Sequence, residues 1–428
     1  MQGSAGCQPV HLGSLPRCFC ERSTLRPNPS KRVAGKLPAT AGWQPALPMH
    51  YIPAGMRTSI ARLLFVLLVF PLVPPVVSAK DLGWQPEKTW VFVVGVLSWK
   101  HSETYGSFPV KNRRDNALVD FFKQSGVPES QVVYLKDKQA TQQRIDSAFT
   151  EQLKKLRPDD LLIVYYAGHG SKSDDGNDVY LASYDAGDDD VDGWSINSIP
   201  GKINGSKCSR ALWLIDCCYS GQAALAITKQ SKGPAYAAVT SSAASESSTE
   251  HWTFTEALLD AFRGVSYVDL NHDGAVTLSE FAAHVEADMN AAEEQRSTFA
   301  HTKGFDPDMV LAAAKPLANP RIGERAKARD SNGDWYACRI IEARGEKLKI
   351  HFIGYEDDED LWVAPEDLQT IKQVRYATGA KVEVLWKKHW YAATVLQAKD
   401  GVHLIHYTDY DSKWDEWVPS RRIREPKS

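Results

Sequence analysis

Hydrophobic and polar positions follow two different rhythms along the chain. From Trp90 the first rhythm alternates continuous apolar runs with helical ones. Trp90–Leu97 (WVFVVGVL) is Val-rich and uninterrupted, the pattern of a strand buried on both faces. Arg113–Gln124 carries Ala117, Leu118, Phe121 and Phe122 at helical spacing and stops at Gly126 and Pro128. Val132–Leu135 reads as a second strand. Thr141–Leu156 places Ile145, Ala148, Phe149, Leu153 and Leu156 on one helical face. Leu161–Ala167 (LLIVYYA), Ala211–Ile215 (ALWLI) and Ala235–Thr240 (AYAAVT) supply three further strands, followed by helices near Thr255–Arg263 and Leu278–Met289. Strands separated by helices predict an α/β domain over 88–315, its mostly parallel sheet covered on both faces, with functional groups at the strands' carboxyl ends.

From about Ala318 the rhythm changes to short alternating runs, and it occurs twice. Trp335-Tyr336 matches Trp390-Tyr391, His351 matches His406, Tyr355 matches Tyr410 and Trp362-Val363 matches Trp417-Val418, each at an offset of 55, while Gly323 matches Gly379 at 56. Two small SH3-like β-barrels in tandem, over 321–370 and 376–426, are the expected architecture.

The first 79 residues follow neither rhythm. Residues 1–55 are rich in Pro, Gly, Ser and basic residues without apolar periodicity, which predicts disorder or an upstream artefact rather than a folded unit. Met56-Arg57 then opens a basic stretch, followed by the apolar run Leu63–Val77 and by Val77-Ser78-Ala79. A basic segment, an apolar core and small residues at its end are the pattern of a secretory signal peptide over 56–79. The run is shorter than the roughly 20 residues a membrane span needs, and Pro71, Pro74 and Pro75 interrupt it. Export to the periplasm or the extracellular space is therefore expected, with membrane contact only through that segment.

Composition changes little in this picture. The net charge of the 428 residues is −3, and the two repeats balance Lys and Arg against Asp and Glu, so nucleic acid is not indicated as a partner. Beyond Ala79 only Cys208, Cys217, Cys218 and Cys338 remain, too few for a disulfide framework.

The chemistry concentrates at two strand ends. The third strand runs into Gly168-His169-Gly170, and the fourth into Asp216-Cys217-Cys218-Tyr219-Ser220-Gly221. An imidazole and a thiol at the same end of neighbouring parallel strands meet in space, so that His169 can take or orient the proton of a nucleophilic Cys. The flanking glycines let a substrate backbone approach, and the N–H groups of Gly170 and Cys218 are candidates to hold an oxyanion.

This pair, GHG after one hydrophobic strand and D-x-C-x-S-G after the next, resembles the caspase–metacaspase cysteine peptidases, and the similarity spans roughly residues 88–315. It implies a caspase-like three-layer sandwich, endopeptidase activity on protein or peptide substrates, Cys218 as nucleophile, His169 as its partner and Cys217 at a variable position. In metacaspases an Asp two residues before the nucleophile and another on the helix after the first strand line an acidic S1 pocket. These positions fall on Asp216 and Asp115, which implies a preference for basic P1 residues. Asp115 is equally placed to be a helix N-terminal carboxylate favoured by the dipole.

Three further features remain open at this level. The loop after His169 holds Asp174, Asp175, Asp178, Asp185, Asp188, Asp189, Asp190 and Asp192 and reads as a solvated, flexible segment, although calcium-dependent metacaspases bind calcium in this region. Asp269, Asn271, Asp273, Ala275, Thr277 and Glu280 occupy the ligand positions of an EF-hand loop for Ca2+, with Gly274 at its sixth position. The same residues are also read as a capping box, Thr277-x-x-Glu280, after an Asp-Gly turn. The second repeat resembles the Tudor-knot and chromo-barrel family, and the first is a more divergent copy. Trp386, Tyr391, Tyr407, Tyr410, Trp414 and Trp417 are candidates for an aromatic cage, with Phe352, Tyr355 and Trp362 in the first copy. Small barrels also fill their cores with such residues. A protein partner at the barrels is expected, and a catalytically inert scaffold that only binds is the rival to the enzyme.

Overall fold

The computed structural model describes residues 83–426 apart from 112, 188–191, 247, 372–373, 387–388 and 400–401. The expected signal peptide, the segment 1–55 and the residues Asp188, Asp189 and Asp190 lie outside the described residues. In chain order the first part comprises β1 (Thr89–Gly95), α1 (Arg114–Gln124), β2 (Val132–Lys136), α2 (Gln142–Leu153), β3 (Leu161–Ala167), β4 (Gly170–Lys172), β5 (Val179–Leu181), β6 (Trp194–Ser195), α3 (Ile199–Asn204) and β7 (Arg210–Asp216). It continues with α4 (Gln222–Thr228), β8 (Ala235–Thr240), α5 (Thr253–Phe262), β9 (Ala275–Thr277), α6 (Leu278–Asp288), β10 (Thr298–His301) and β11 (Val310–Ala313).

The five expected strands and a sixth, β10, form one sheet in the order β10-β8-β7-β3-β1-β2, parallel except for β10 at the edge beside β8. Alternate residues of each strand serve opposite layers. Val94, Val164, Tyr166, Trp213 and Ile215 pack under α2, α3 and α4 with Ile145, Phe149, Ile203 and Ile227. Val91, Val93, Ile163, Tyr165, Leu212 and Leu214 pack under α1, α5 and α6 with Phe122, Phe254, Leu258, Phe281 and Val285. Burial on both faces is what makes these strands continuously apolar in sequence. The result is a three-layer α/β sandwich.

The acidic loop after His169 folds more than its composition suggests. β4, β5 and β6 form a small antiparallel sheet that spans it. Asp178 accepts hydrogen bonds from the N–H groups of Val179 (2.7 Å) and Asn197 (3.1 Å), and Asp185 from the N–H of Gln142 (2.9 Å). These carboxylates satisfy turn and helix-start N–H groups, while Asp174 and Asp175 stand exposed to solvent as expected of the loop.

The two repeats form antiparallel sheets built alike. The first contains β12 (Arg325–Arg329), β13 (Trp335–Arg344), β14 (Lys347–Phe352) and β15 (Leu361–Val363). The second contains β16 (Lys381–Trp386), β17 (His389–Lys399), β18 (Val402–Tyr407), β19 (Glu416–Pro419) and β20 (Ile423–Arg424). Each long strand carries a bulge at the same repeat position, between Ile340 and Glu342 and between Val395 and Gln397. The N–H of Gly323 donates to the Ile340 carbonyl and that of Gly379 to the Val395 carbonyl, both at 2.8 Å. The His351–Asp360 pair (2.8 Å) likewise recurs as His406–Asp415 (2.6 Å).

The first barrel is locked to the sandwich by a buried ionic cluster. Arg339 on β13 is fully buried, pairing with Asp288 at the end of α6 and lying 3.3 Å from Asp260 on α5. Arg325 reaches Asp288 at 2.6 Å. The guanidinium pays its desolvation back by holding Asp288 well below the usual carboxylate range, against the effect of burial.

Candidate active site

Register sets the thiol and the imidazole at the same end of neighbouring strands. β3 and β7 pair with Ala167 opposite Asp216, so His169 and Cys218 leave neighbouring strands at equivalent positions. The approach is close. A methyl group at Gly170 would lie 2.2 Å from the Cys218 carbonyl oxygen, so only glycine fits beside the Cys218 backbone. Both candidate side chains are nearly enclosed, His169 at 4% and Cys218 at 5% relative exposure.

A ring cage and a hydrogen bond to Gly106 hold the imidazole. Trp99 and Phe108 lie with ring centroids 4.4 Å from that of His169, and Tyr105 at 5.5 Å. His169 Nε2 pairs with the Gly106 carbonyl oxygen at 2.8 Å. A carbonyl only accepts, so Nε2 carries the proton and Nδ1 is left as the basic nitrogen. Burial pulls the imidazole below its ordinary range, outweighing the Gly106 bond, which keeps it neutral and able to accept a proton near pH 7.

The turn that carries Cys218 is fixed from the loop after β8. Cys218 Sγ accepts the N–H of Ser248 at 3.2 Å. Ser220 and Ser242 exchange backbone-to-hydroxyl bonds at 3.1 and 3.0 Å, and Ser242 Oγ donates to the Cys217 carbonyl at 3.0 Å. Tyr219 sits in the left-handed region at φ 61°, and its N–H donates to the Glu246 carbonyl at 2.8 Å. A non-glycine residue held this way is local strain that the serine lock must sustain. Cys217, by contrast, points into the core beneath the sheet, and burial raises its thiol far above the ordinary range.

Beside Cys218 opens a cleft of about 160 Å³. Asp216, Cys218, the segment 248–252, Phe108 and, from the first barrel, residues 354–356 line it. Asp216 accepts from Thr255 Oγ1 at 3.0 Å, and burial pushes its carboxyl up to about 7. Asp115 does not line this cleft. Its carboxylate is fully buried, bound by Arg113 Nε (3.0 Å) and Nη2 (2.7 Å) and by the Tyr134 hydroxyl (2.9 Å), while Oδ1 accepts the Asn116 N–H of its own helix start.

Residues 111–305 match the family described as "Caspase domain". The chain carries a caspase domain. Residues 376–425 match the Tudor-knot family, described as "RNA binding activity-knot of a chromodomain", so the second repeat is a Tudor-knot domain. No curated protein matches the chain. Among solved structures, a Geobacter sulfurreducens protein determined as a structural-genomics target is 14% identical, with a TM-score of 0.39, over 53% of this chain and 100% of its own. Arabidopsis thaliana AGDP1 AGD34 is 16% identical over 25% of this chain and 82% of its own, and the ADCP1 tandem Agenet domain 3-4 is 17% identical over 25% and 80%, each with a TM-score of 0.12.

Outside its cleft, the caspase domain spends the EF-hand-like residues internally. Asp269 accepts the N–H groups of Asp273 (3.2 Å) and Gly274 (3.0 Å), and Asp273 that of Ala275 (2.9 Å). Asn271 Oδ1 accepts from Asp273 N–H at 2.8 Å. Glu280 Oε1 accepts from Leu270 and Asn271, and its Oε2 closes the capping box with Thr277 at the start of α6. β9, which holds Ala275 and Thr277, pairs with β11 rather than with a second such loop. Among the described residues no group of three or more His, Cys, Asp or Glu side chains converges on a metal position. The donor types suit calcium, but the ion would have to displace this set of bonds.

In the Tudor-knot domain the aromatic candidates split into two groups. Tyr391 meets Trp386, Tyr407 and Tyr410 edge-on at 6.0–6.2 Å. Tyr407 is mostly core, its hydroxyl donating to Glu416 at 2.6 Å, while Trp386 and Trp414 are exposed. Trp417 already has a cation, the Arg296 guanidinium of the caspase domain, 4.7 Å from its ring centroid.

Several site residues carry no sequence signal as single positions. The Gly106 carbonyl, the Ser220–Ser242 lock, Ser248 and the 354–356 turn all act through backbone or tertiary placement. The small-residue run Ser241-Ser242-Ala243-Ala244-Ser245 after the fifth strand was the available hint, since only small side chains let that loop lie on the nucleophile turn.

Proposed function

We propose that the protein is an exported cysteine endopeptidase that cleaves after basic residues. The observation that carries the reading is the alignment of His169 and Cys218 at neighbouring strand ends, beside a cleft floored by Asp216. Cys218 sulfur attacks the scissile carbonyl carbon while its proton passes to His169 Nδ1. The N–H groups of Gly170 and Cys218 face the developing oxyanion. Collapse breaks the C–N bond, His169 returns the proton to the leaving amine, and water then hydrolyses the thioester with His169 as base. A Lys or Arg side chain in the cleft pairs with Asp216, whose raised pKa falls as a cation replaces water beside it. The basic stretch and apolar run of 56–79 support export, and the Tudor-knot domain supplies a surface for a protein or peptide partner.

The test is hydrolysis of peptides ending in Arg, Lys, Leu or Asp by the full chain and by Cys218→Ala. Cleavage of the basic peptides that disappears in Cys218→Ala is expected. Absence of any Cys218-dependent cleavage overturns the peptidase reading, while Cys218-dependent cleavage after Asp alone overturns only the specificity.

A further inference from the structure

The first barrel is a divergent copy of the Tudor-knot repeat, but its aromatic edge is not free. Tyr336, Phe352 and Tyr355 occupy the repeat positions of Tyr391, Tyr407 and Tyr410, and they pack the same way: Tyr336 lies 6.3 Å from Phe352 and 5.4 Å from Tyr355. In this copy the edge is turned onto the caspase domain. The Tyr355 ring lies 4.7 Å from the imidazole of His251, and Gly354, Tyr355 and Glu356 line the same cleft as Asp216 and Cys218.

The turn is held there from several sides. Gly354 N–H donates to Glu256 of α5 at 2.9 Å, and Arg114 of α1 reaches the Tyr355 carbonyl (3.3 Å) and Asp357 (2.7 Å). Gly354 has φ 85°, and a Cβ at this position would lie 2.3 Å from Thr253 Oγ1. A side chain there is excluded both by conformation and by space. His251 is fixed in turn by Glu293 at 3.2 Å, and the Arg339 cluster anchors the barrel behind the turn. A rigid turn of the barrel therefore walls the cleft.

Charge gives this wall a preference. Three carboxylates line the cleft, Asp216, Glu250 and Glu356. The cations beside them are Lys111, 3.7 Å from exposed Asp358, His251, which is matched by Glu293, and Arg114, which pairs with Asp357 and also attracts Glu356. Counted with their partners Asp357, Asp358 and Glu293, the carboxylates still outnumber these cations, and the part-exposed Tyr355 ring lies beside them.

We propose that the first barrel is part of the substrate-binding apparatus of the caspase domain, with Tyr355 and Glu356 as specificity-determining residues for a guanidinium or ammonium side chain of the substrate. The proposal rests on the peptidase reading for its substrate and on the shared cleft for its residues. It makes the barrel a component of the peptidase rather than a tethered recruitment module.

The experiment uses the full chain, Glu356→Lys, Tyr355→Ala and the control Glu346→Lys, a charge reversal on an exposed turn of the same barrel away from the cleft. Two readouts are taken: kcat/KM on Arg-ending against Leu-ending peptides, and the rate at which iodoacetamide alkylates Cys218 with and without the alkylguanidinium agmatine. Expected are a fall in the Arg:Leu ratio on the order of tenfold in Glu356→Lys, a smaller fall in Tyr355→Ala and no change in the control. Agmatine should slow alkylation in the wild type and in the control but not in Glu356→Lys. Cys218-dependent cleavage of Arg peptides with an unchanged Arg:Leu ratio in Glu356→Lys overturns the role of the barrel and leaves the peptidase reading standing. Where no cleavage is found at all, the peptidase reading fails and agmatine protection decides the inference alone. Equal protection, or none in the wild type, overturns it.

Discussion

Asp216 is the carboxylate whose replacement tests the site most directly, because the fold holds it at a cost. It ends β7 at the cleft floor, accepts hydrogen bonds from the Ser241 and Thr255 hydroxyls, and is pushed by burial from 3.8 up to about 7. Between those values the native state binds a proton that the unfolded chain has released, so stability falls as pH rises through this window and the full penalty applies above pH 7. A shift of roughly three units at 1.36 kcal/mol each sets a ceiling of about 4 kcal/mol, and water at the open side of the cleft reduces the working expectation to about 2 kcal/mol. Asp216→Asn removes the ionisation while keeping an acceptor for Thr255. Urea unfolding at pH 4, 6 and 8, measured in a Cys218→Ala background to prevent self-cleavage, should show Asn and Asp equal at pH 4 and Asn ahead by about 2 kcal/mol at pH 8. With Cys218 restored, the same substitution should lower kcat/KM for Arg peptides and leave Leu peptides nearly untouched. An Asn variant no more stable than the parent at pH 8 refutes the claim that burial of this carboxylate is a cost borne for function.

Two other substitutions probe what surrounds the site. Cys217→Ala should keep Cys218-dependent hydrolysis within a fewfold of wild type and lose about 1 kcal/mol in urea unfolding, since its sulfur packs in the core and serves no step of the chemistry. Arg339→Ala strands Asp288 without its main counter-charge and should cost about 3–5 kcal/mol, seen as early unfolding of the first barrel and faster proteolysis between the two parts; a change below about 1 kcal/mol would show that the cluster does not hold the barrel.

The parts legible in the sequence were those written in local pattern. Five continuous apolar runs became five neighbouring strands because burial on both faces leaves no polar alternation to confuse, and GHG with DCCYSG fell at adjacent strand ends because parallel register aligns them. The edge strand β10 was not legible: Thr298–His301 is short, half-exposed and antiparallel, so neither length nor apolarity marks it. Asp115 misled for a different reason. Its place at a helix start serves a pocket or a local ion pair equally well, and the choice depends on Arg113 folding back over it, which no spacing reveals. Arg339 reads as an ordinary surface residue of an alternating strand. Only the tertiary placement of Asp260 and Asp288 makes it the most buried charge between the barrel and the sandwich.

That same arginine separates the fates of the two repeats. Its counterpart in the second copy is Thr394, half-buried and paired with Lys381 of its own sheet at 2.8 Å. The second barrel meets the caspase domain through ion pairs nearer the surface, Lys399–Glu286 (2.9 Å) and Arg421–Glu294, and through Arg296 on Trp417. Contacts of that kind are worth about 0–1 kcal/mol each and weaken with salt, whereas a desolvated cluster such as that of Arg339 does not release one partner without stranding the others. Duplication thus gave one copy a core ionic anchor that commits its aromatic edge to the cleft. The other copy keeps Trp386, which meets Tyr391 edge-on, and Trp414 at the surface. High salt should therefore loosen the second barrel from the caspase domain before the first.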